Sequence, residues 1–495
     1  MQRLSALDAT FLEVEDAVSH MHIASVALFE GPPPPTEQLR SMVLGKLPLV
    51  PRYRQVVRFV PFGTARPVWV EDRHFNLEYH LRRTGLPTPG SEDQLKRLVG
   101  RVMSQQLDRT KPLWEMWVVE GLSLPGVEQP WALLSKVHHC MVDGVSGADL
   151  LSVMLDHDPL PPPPVSDSWR PQPPPGDAEL LVHAIIGDLL SPLEAIRSLR
   201  APRALATRAT DAARGLLRMR RLVEAPPTSS LNGPVGAHRR WSFARTQLAD
   251  AKSVKAEFGG TVNDVVLACI TAGFRDLLKA RGESVERVVR TLVPVSVRAP
   301  AERGTYNNRV SAIFAELPVG IADPIERLAS IREQMADLKA SKEAVAGEVL
   351  TSLAGFAPPM LLALGERLAT HVPQHNINTV TTNVPGPQQT LYAAGRRMLE
   401  AFPYVPLGGH VRVGVAIFSY DGHLTFGVTG DYDTAEDIDV LCAGIEAGMA
   451  ELLEASGVRP PRARPPRVRP PEIRPPRARP PRVRSRTDRQ ATADR

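Results

Sequence analysis

The residues best placed to do chemistry stand together: His138-His139-Cys140-Met141-Val142-Asp143-Gly144. They close an apolar run, Trp131-Ala132-Leu133-Leu134-Ser135-Lys136-Val137, that reads as a β-strand over residues 131–139, bounded by Pro130 and Gly144. Successive strand side chains point to opposite faces, so His138 and His139 cannot serve the same cavity. His139 shares its face with Val137, Ser135 and Leu133, and His138 with Lys136 and Leu134. One imidazole at a strand end, with a carboxylate beyond a turn, suits a general base. The same residues also describe a satisfied histidine pair followed by an Asp-Gly turn and a helix cap. Local sequence leaves both readings open.

Other chemistries have no footing. No G-x-S-x-G occurs, and Gly144-Val145-Ser146-Gly147 has the wrong spacing for a nucleophile elbow. H-E-x-x-H, phosphate-loop and dinucleotide motifs are absent. Cys140 points away from His139, which argues against a cysteine nucleophile. Cys140, Cys269 and Cys442 form neither a C-x-x-C pair nor an even disulfide framework, so the expectation is a reducing compartment, no metal and no cofactor.

The elements that must position these residues alternate in type. Residues 21–29, 67–70, 114–121 and 131–139 read as strands, the last two joined across Pro125-Gly126, and residues 36–47, 91–106 and 145–155 as helices. Proline runs at 161–164 and 173–175 mark a stiff crossing, and residues 178–223 follow as helix, arginine-rich in their second half. Beyond residue 226, strands are expected at 292–298, 308–317, 378–384, 411–420 and 423–431, with Asp421-Gly422 as a hairpin turn. Helices are expected at 246–258, from 262 onward, at 324–342 and at 434–456, the last capped by Thr434. Thr261 and Asp264 make a capping box, which explains Asp264 but not Asn263.

Resemblance then separates the two readings of the histidine pair. H-H-x-x-x-D-G is the signature of acyltransferases built like chloramphenicol acetyltransferase and the condensation domains of peptide synthetases. The chain resembles one branch, the bacterial wax ester synthase/diacylglycerol acyltransferase family, in an ordered set of blocks covering nearly everything before residue 458. These are residues 3–11, Pro112-Leu113-Trp114, Asn232-Gly233-Pro234, Val262-Asn263-Asp264-Val265, Pro294-Val295-Ser296-Val297-Arg298 and Thr382-Asn383-Val384-Pro385-Gly386-Pro387. Pro112-Leu113-Trp114 reads equally as chain placement before a strand with a buried Trp.

The resemblance implies an α/β protein of two acetyltransferase-like domains with mixed sheets: residues 1–157 with the histidine motif, a Pro-rich and helical crossover at 158–225, and residues 226–458. It implies direct acyl transfer from acyl-CoA to the hydroxyl of diacylglycerol or a long-chain alcohol, with no covalent enzyme intermediate. His139 is then the general base and His138 supports it. Asp143 is structural, with Arg298 as its candidate partner, Gly144 lets the chain turn, and Asn263 is a candidate contact for the thioester carbonyl. The rival readings are a carrier-protein-dependent polyketide- or peptide-type acyltransferase and a non-catalytic lipid-droplet-binding protein.

Charge is divided along the chain. Residues 459–495 repeat R-P-P-x-x five times and carry 13 arginines against three acids, a net +10. The whole chain is +5, so the remainder is −5, which argues against nucleic-acid binding by the body. The tail is expected to be disordered and to favour anionic lipid surfaces. The N-terminus lacks a signal-peptide core, and the apolar run at 349–365 is broken by Pro358-Pro359. A cytoplasmic protein, peripherally associated with membrane or lipid droplets, is the expectation.

Overall fold

The computed structural model describes residues 2–142, 147–160, 169–183, 229–296, 310–340 and 377–457. Asp143, Gly144, Arg298, the run at 349–365, the arginine-rich half of the crossover and the tail all lie outside the described residues.

Strands β1 (Gln2–Arg3), β2 (His22–Phe29), β3 (Gln55–Arg58), β4 (Val68–Glu71), β5 (Leu81–Gly85), β6 (Trp114–Glu120) and β7 (Trp131–His138) come first. After the crossover follow β8 (Arg239–Gln247), β9 (Val289–Ser296), β10 (Val310–Leu317), β11 (Thr379–Pro385), β12 (Tyr392–Ala393), β13 (Arg396–Tyr404), β14 (Val413–Tyr420) and β15 (His423–Asp431). The helices are α1 (Ala6–Val14), α2 (Thr36–Lys46), α3 (Leu77–His80), α4 (Glu92–Met103), α5 (Gly147–Met154), α6 (Leu248–Phe258), α7 (Val262–Ala280), α8 (Pro324–Ala340) and α9 (Ile438–Ala455).

Two six-stranded sheets organise the body, in the orders β12-β13-β2-β7-β6-β5 and β10-β9-β11-β14-β15-β8, with a small sheet β1-β4-β3 beside them. Both large sheets are mixed, as expected for this class. β5 runs parallel to β6 in the first, and β11 runs parallel to β9 and β14 in the second. Every residue of β14 is buried, consistent with a central strand covered on both faces. The Asp421-Gly422 turn takes positive φ at both residues, 43° and 84°, matching the twist of a tight hairpin. Capping boxes form at Ser91–Gln94 before α4 and at Thr261–Asp264 before α7.

Beyond added elements such as α1, α3, β3 and β5, three further details differ from expectation. β7 ends at His138, and His139 opens a short 3-10 turn, His139–Met141. The last helix starts at Ile438, because Thr434 instead bonds Asp431 Oδ2 through its amide and hydroxyl at the end of β15. The third is β13, which carries charged residues and a proline and was not read as a strand.

β13 lies in the C-terminal half of the chain but pairs antiparallel with β2 of the first sheet. It is also tied to the second sheet: Thr425 Oγ1 donates to Ala401 O (2.6 Å) and Tyr420 Oη to Met398 O (3.2 Å). The backbone of β13 passes directly over Gly427, where a Cβ would lie 1.7 Å from Pro403 O. Only glycine admits that crossing.

Candidate active site

Helix α1 packs on the 139–141 turn and is the element that covers the motif. Ser5 caps it, accepting from Asp8 N (3.1 Å) and donating to Asp8 Oδ2 (2.5 Å). Its second turn brings Phe11 flat against His139, ring centroids 3.9 Å apart. The His139 amide donates to Met21 O (2.8 Å), fixing the backbone from the neighbouring strand side. Burial lowers the ring to about 4, yet His139 retains some solvent-accessible surface.

His138 has a different setting. It is completely buried. Its amide donates to Leu113 O (2.9 Å), and its Nδ1 accepts from Cys140 N (3.1 Å). Nε2 is therefore the donor, 3.5 Å from Glu15 Oε2. The two histidines thus face apart, as strand alternation predicts, although the strand ends between them.

Glu15 was not singled out by sequence reading. It follows α1 directly, and its carboxylate is buried among four groups. Arg109 reaches Oε2 at 2.6 Å and His22 Nε2 lies 3.1 Å from Oε1. Met21 N donates to Oε1 at 3.3 Å, and His138 is the fourth neighbour. Burial alone would raise this carboxyl, but the adjoining His138, His22 and Arg109 hold it well below the usual carboxylate range. His22 sits opposite His138 across the β2–β7 ladder, and burial lowers its ring to about 3. The signal in sequence was an acid one residue beyond the first helix, a common and uninformative position.

Pro112-Leu113-Trp114 is structural in its contacts. Trp114 is buried, donates to Tyr53 O (2.9 Å) and stacks between Tyr53 and His80. The Leu113 carbonyl is the anchor of His138. Asn232 ties the second sheet together, donating to Ile377 O (2.7 Å) and accepting from Asn378 Nδ2 (2.6 Å). Cys140 is inaccessible, and burial, then Asp8 and Glu15, pushes its thiol up well above the usual range. Such a thiol stays protonated and unreactive.

Asn263, in the first turn of α7, accepts from Asn383 Nδ2 at 3.1 Å. That bond uses the Asn263 oxygen, and its amide nitrogen meets no acceptor among the described residues. The next residue on β11, Val384, packs in one apolar cluster with Phe11, Cys140, Met141 and Val142, and α5 rests on β11. Elements from both sheets therefore meet at the histidine turn. Among the described residues no cluster of three or more His, Cys, Asp or Glu could hold a metal.

Two mixed sheets exchanging a strand, with a histidine turn where they meet, define the two-lobed acyltransferase class. The fold matches the trichothecene 15-O-acetyltransferase of Fusarium sporotrichioides (12% identity, TM-score 0.59, covering 91% of this chain and 94% of that one). It matches the wax ester synthase/diacylglycerol acyltransferase of Marinobacter aquaeolei more closely (25%, TM-score 0.65, 92% and 100%). A Mycobacterium tuberculosis protein described as a probable diacylglycerol O-acyltransferase, tgs1, is 37% identical over 469 residues, 92% of this chain and 96% of that one. Residues 4–266 match the wax ester synthase/diacylglycerol acyltransferase catalytic domain, and residues 306–453 the C-terminal domain. The chain belongs to the wax ester synthase/diacylglycerol acyltransferase family.

Proposed function

We propose that this acyltransferase moves a long-chain acyl group from CoA to the hydroxyl of diacylglycerol, forming triacylglycerol, and to long-chain alcohols, forming wax esters. The observation that carries the mechanism is the His139 ring, stacked on Phe11 just past the end of β7 and still partly accessible. Its basic nitrogen takes the acceptor's hydroxyl proton as that oxygen attacks the thioester carbonyl. The tetrahedral oxyanion collapses, the C–S bond breaks, and the imidazolium returns the proton to the CoA sulfur. With burial lowering its pKa to about 4, the ring is in its base form throughout the neutral range.

The amide nitrogen of Asn263, oriented by Asn383, is our candidate donor to the oxyanion. Asp143 is assigned a structural role paired with Arg298, Gly144 the turn, and His138 the support of the histidine turn from behind. We place CoA and acceptor on opposite sides of the meeting of the two sheets, with domain limits at 1–157 and 226–458. No helix among the described residues is long and apolar enough to cross a membrane. Both acceptors are poorly soluble, so we place the enzyme peripherally, at a membrane or droplet surface facing the cytoplasm.

The test is product analysis. Labelled palmitoyl-CoA offered together with diacylglycerol and hexadecanol should yield labelled triacylglycerol and wax ester by thin-layer chromatography. Turnover only from acyl-carrier protein, or none from either donor, overturns the reading.

A further inference from the structure

From residue 38 to residue 70 the chain contains no Asp or Glu, but it does contain Arg40, Lys46, Arg52, Arg54, Arg58 and Arg66. This stretch includes the β3–β4 hairpin, whose connection carries two exposed phenylalanines, Phe59 (50% exposed) and Phe62 (88%). The base of the hairpin is well seated. Val60, Ala65, Val68 and Val70 form a small buried cluster with Leu180, and Arg58 pairs with Asp177 at 3.0 Å. Neither exposed phenylalanine belongs to that cluster.

Phe62 is doubly unfavourable where it stands. Its backbone has φ 60° and ψ 10°, the left-handed region that disfavours bulky side chains, and its ring faces water. Asn or Gly would satisfy the same turn with no exposed ring. A residue held against both local preferences marks a position whose use lies outside the chain's own packing. Two exposed aromatic rings at the tip of a well-seated hairpin suit the boundary between acyl chains and lipid headgroups, while Arg58 beside them is paired with Asp177. They are far too few for a stable protein interface.

We propose that the Phe59–Phe62 tip inserts into the lipid surface from which the acceptor is drawn. The link to the acceptor rests on the function proposed above; insertion itself does not. Phe62 and Phe59 anchor by burial of their rings, so the tip's contribution should depend little on salt.

The experiment is flotation of the full chain with vesicles of phosphatidylcholine, phosphatidylglycerol and dioleoylglycerol, comparing wild type with Phe59→Ser/Phe62→Asn and with a chain lacking residues 459–495. The double variant is expected to bind at least tenfold more weakly. Phe62→Asn alone should keep or raise Tm, since Asn accepts left-handed backbone, so lost binding cannot be ascribed to unfolding. Turnover of a water-soluble short alcohol should be unchanged, while turnover of vesicle-borne diacylglycerol should drop. Equal binding by the double variant, or binding lost only with the tail, overturns the proposal. So does tip-dependent self-association without vesicle binding. If no acceptor turns over but the tip still governs flotation, the proposed function fails and the insertion site stands.

Discussion

The Phe11 ring lies on the His139 imidazole with centroids 3.9 Å apart and planes 24° from parallel. In the resting enzyme that is a stack of two uncharged rings. In the proposed mechanism the imidazole becomes a cation, with the negative face of Phe11 stacked against it. Such contacts contribute about 0.5–2 kcal/mol, depending on desolvation. Phe11→Leu is therefore expected to lower kcat about 2- to 30-fold with little change in KM, whereas Phe11→Trp should retain most of the rate. Equal losses in both variants would assign Phe11 to packing alone.

The acid limb of turnover should lie well below that of a free imidazole, because burial lowers His139 to about 4. Stability has the same sign. The unfolded chain protonates its histidines near pH 6.5, while folded His139, His80 and His22 resist until about 4, 4 and 3. Between those values the unfolded state binds more protons, so stability falls as pH falls, and the loss is complete below about 3. Urea denaturation at stepped pH measures the slope. A flat profile from pH 7 to 4 would contradict the burial of these rings.

Glu15 holds Met21 by its amide, and Met21 holds His139 by its carbonyl. The same carboxylate faces His138 Nε2 at 3.5 Å and binds Arg109 at 2.6 Å. Glu15→Gln removes the charge but not the volume. Breaking a buried ion pair costs about 3–5 kcal/mol, and the lower end applies because Arg109 keeps contact with water. The expected result is a Tm lowered by several degrees, with kcat reduced and the acid limb of turnover displaced. An unchanged limb beside a lowered Tm would restrict Glu15 to a structural role.

The strand leading to His138, the capping box at Thr261 and the Asp421-Gly422 hairpin were legible because each is a local pattern with a local physical cause. β13 was not. Its sequence, Arg396 to Tyr404, mixes charge, proline and apolar residues, and its two partners, β2 and β15, lie far away in sequence. Glu15 escaped for the same reason: its meaning depends on Arg109, His22 and His138 converging in space. Alternation gave the opposed faces of His138 and His139 correctly. The break of the strand between them arises from the His138 Nδ1 bond to the Cys140 amide, which no periodicity reports.

Asn263 and Asn383 act as a pair, one amide orienting the other at 3.1 Å. Asn263→Asp leaves an acceptor where the proposed oxyanion contact needs a donor. It is expected to lower kcat about 10²-fold or more, in line with loss of one oxyanion donor, while α7 keeps its Thr261–Asp264 cap. Asn383→Ala frees the Asn263 amide to rotate and should cost less. A larger loss in Asn383→Ala than in Asn263→Asp would make Asn383 the group that meets substrate.

The two histidines should fail differently. His139→Ala removes the proposed base and is expected to lower turnover about 10²- to 10⁴-fold, the usual range for a general base. Its fold should survive, because the His139 contacts through Met21 are made by backbone. His138→Ala deletes a fully buried ring, the acceptor of the Cys140 amide and a neighbour of Glu15, so it should lower Tm and yield first. Its loss of rate should be smaller and the same for diacylglycerol and alcohol, since the damage is to the turn rather than to the base. Thermal melts and kcat for both variants on both acceptors separate the two roles. Full activity in His139→Ala would end the mechanism, whereas matched losses of rate and stability in the pair would make the histidines one structural unit.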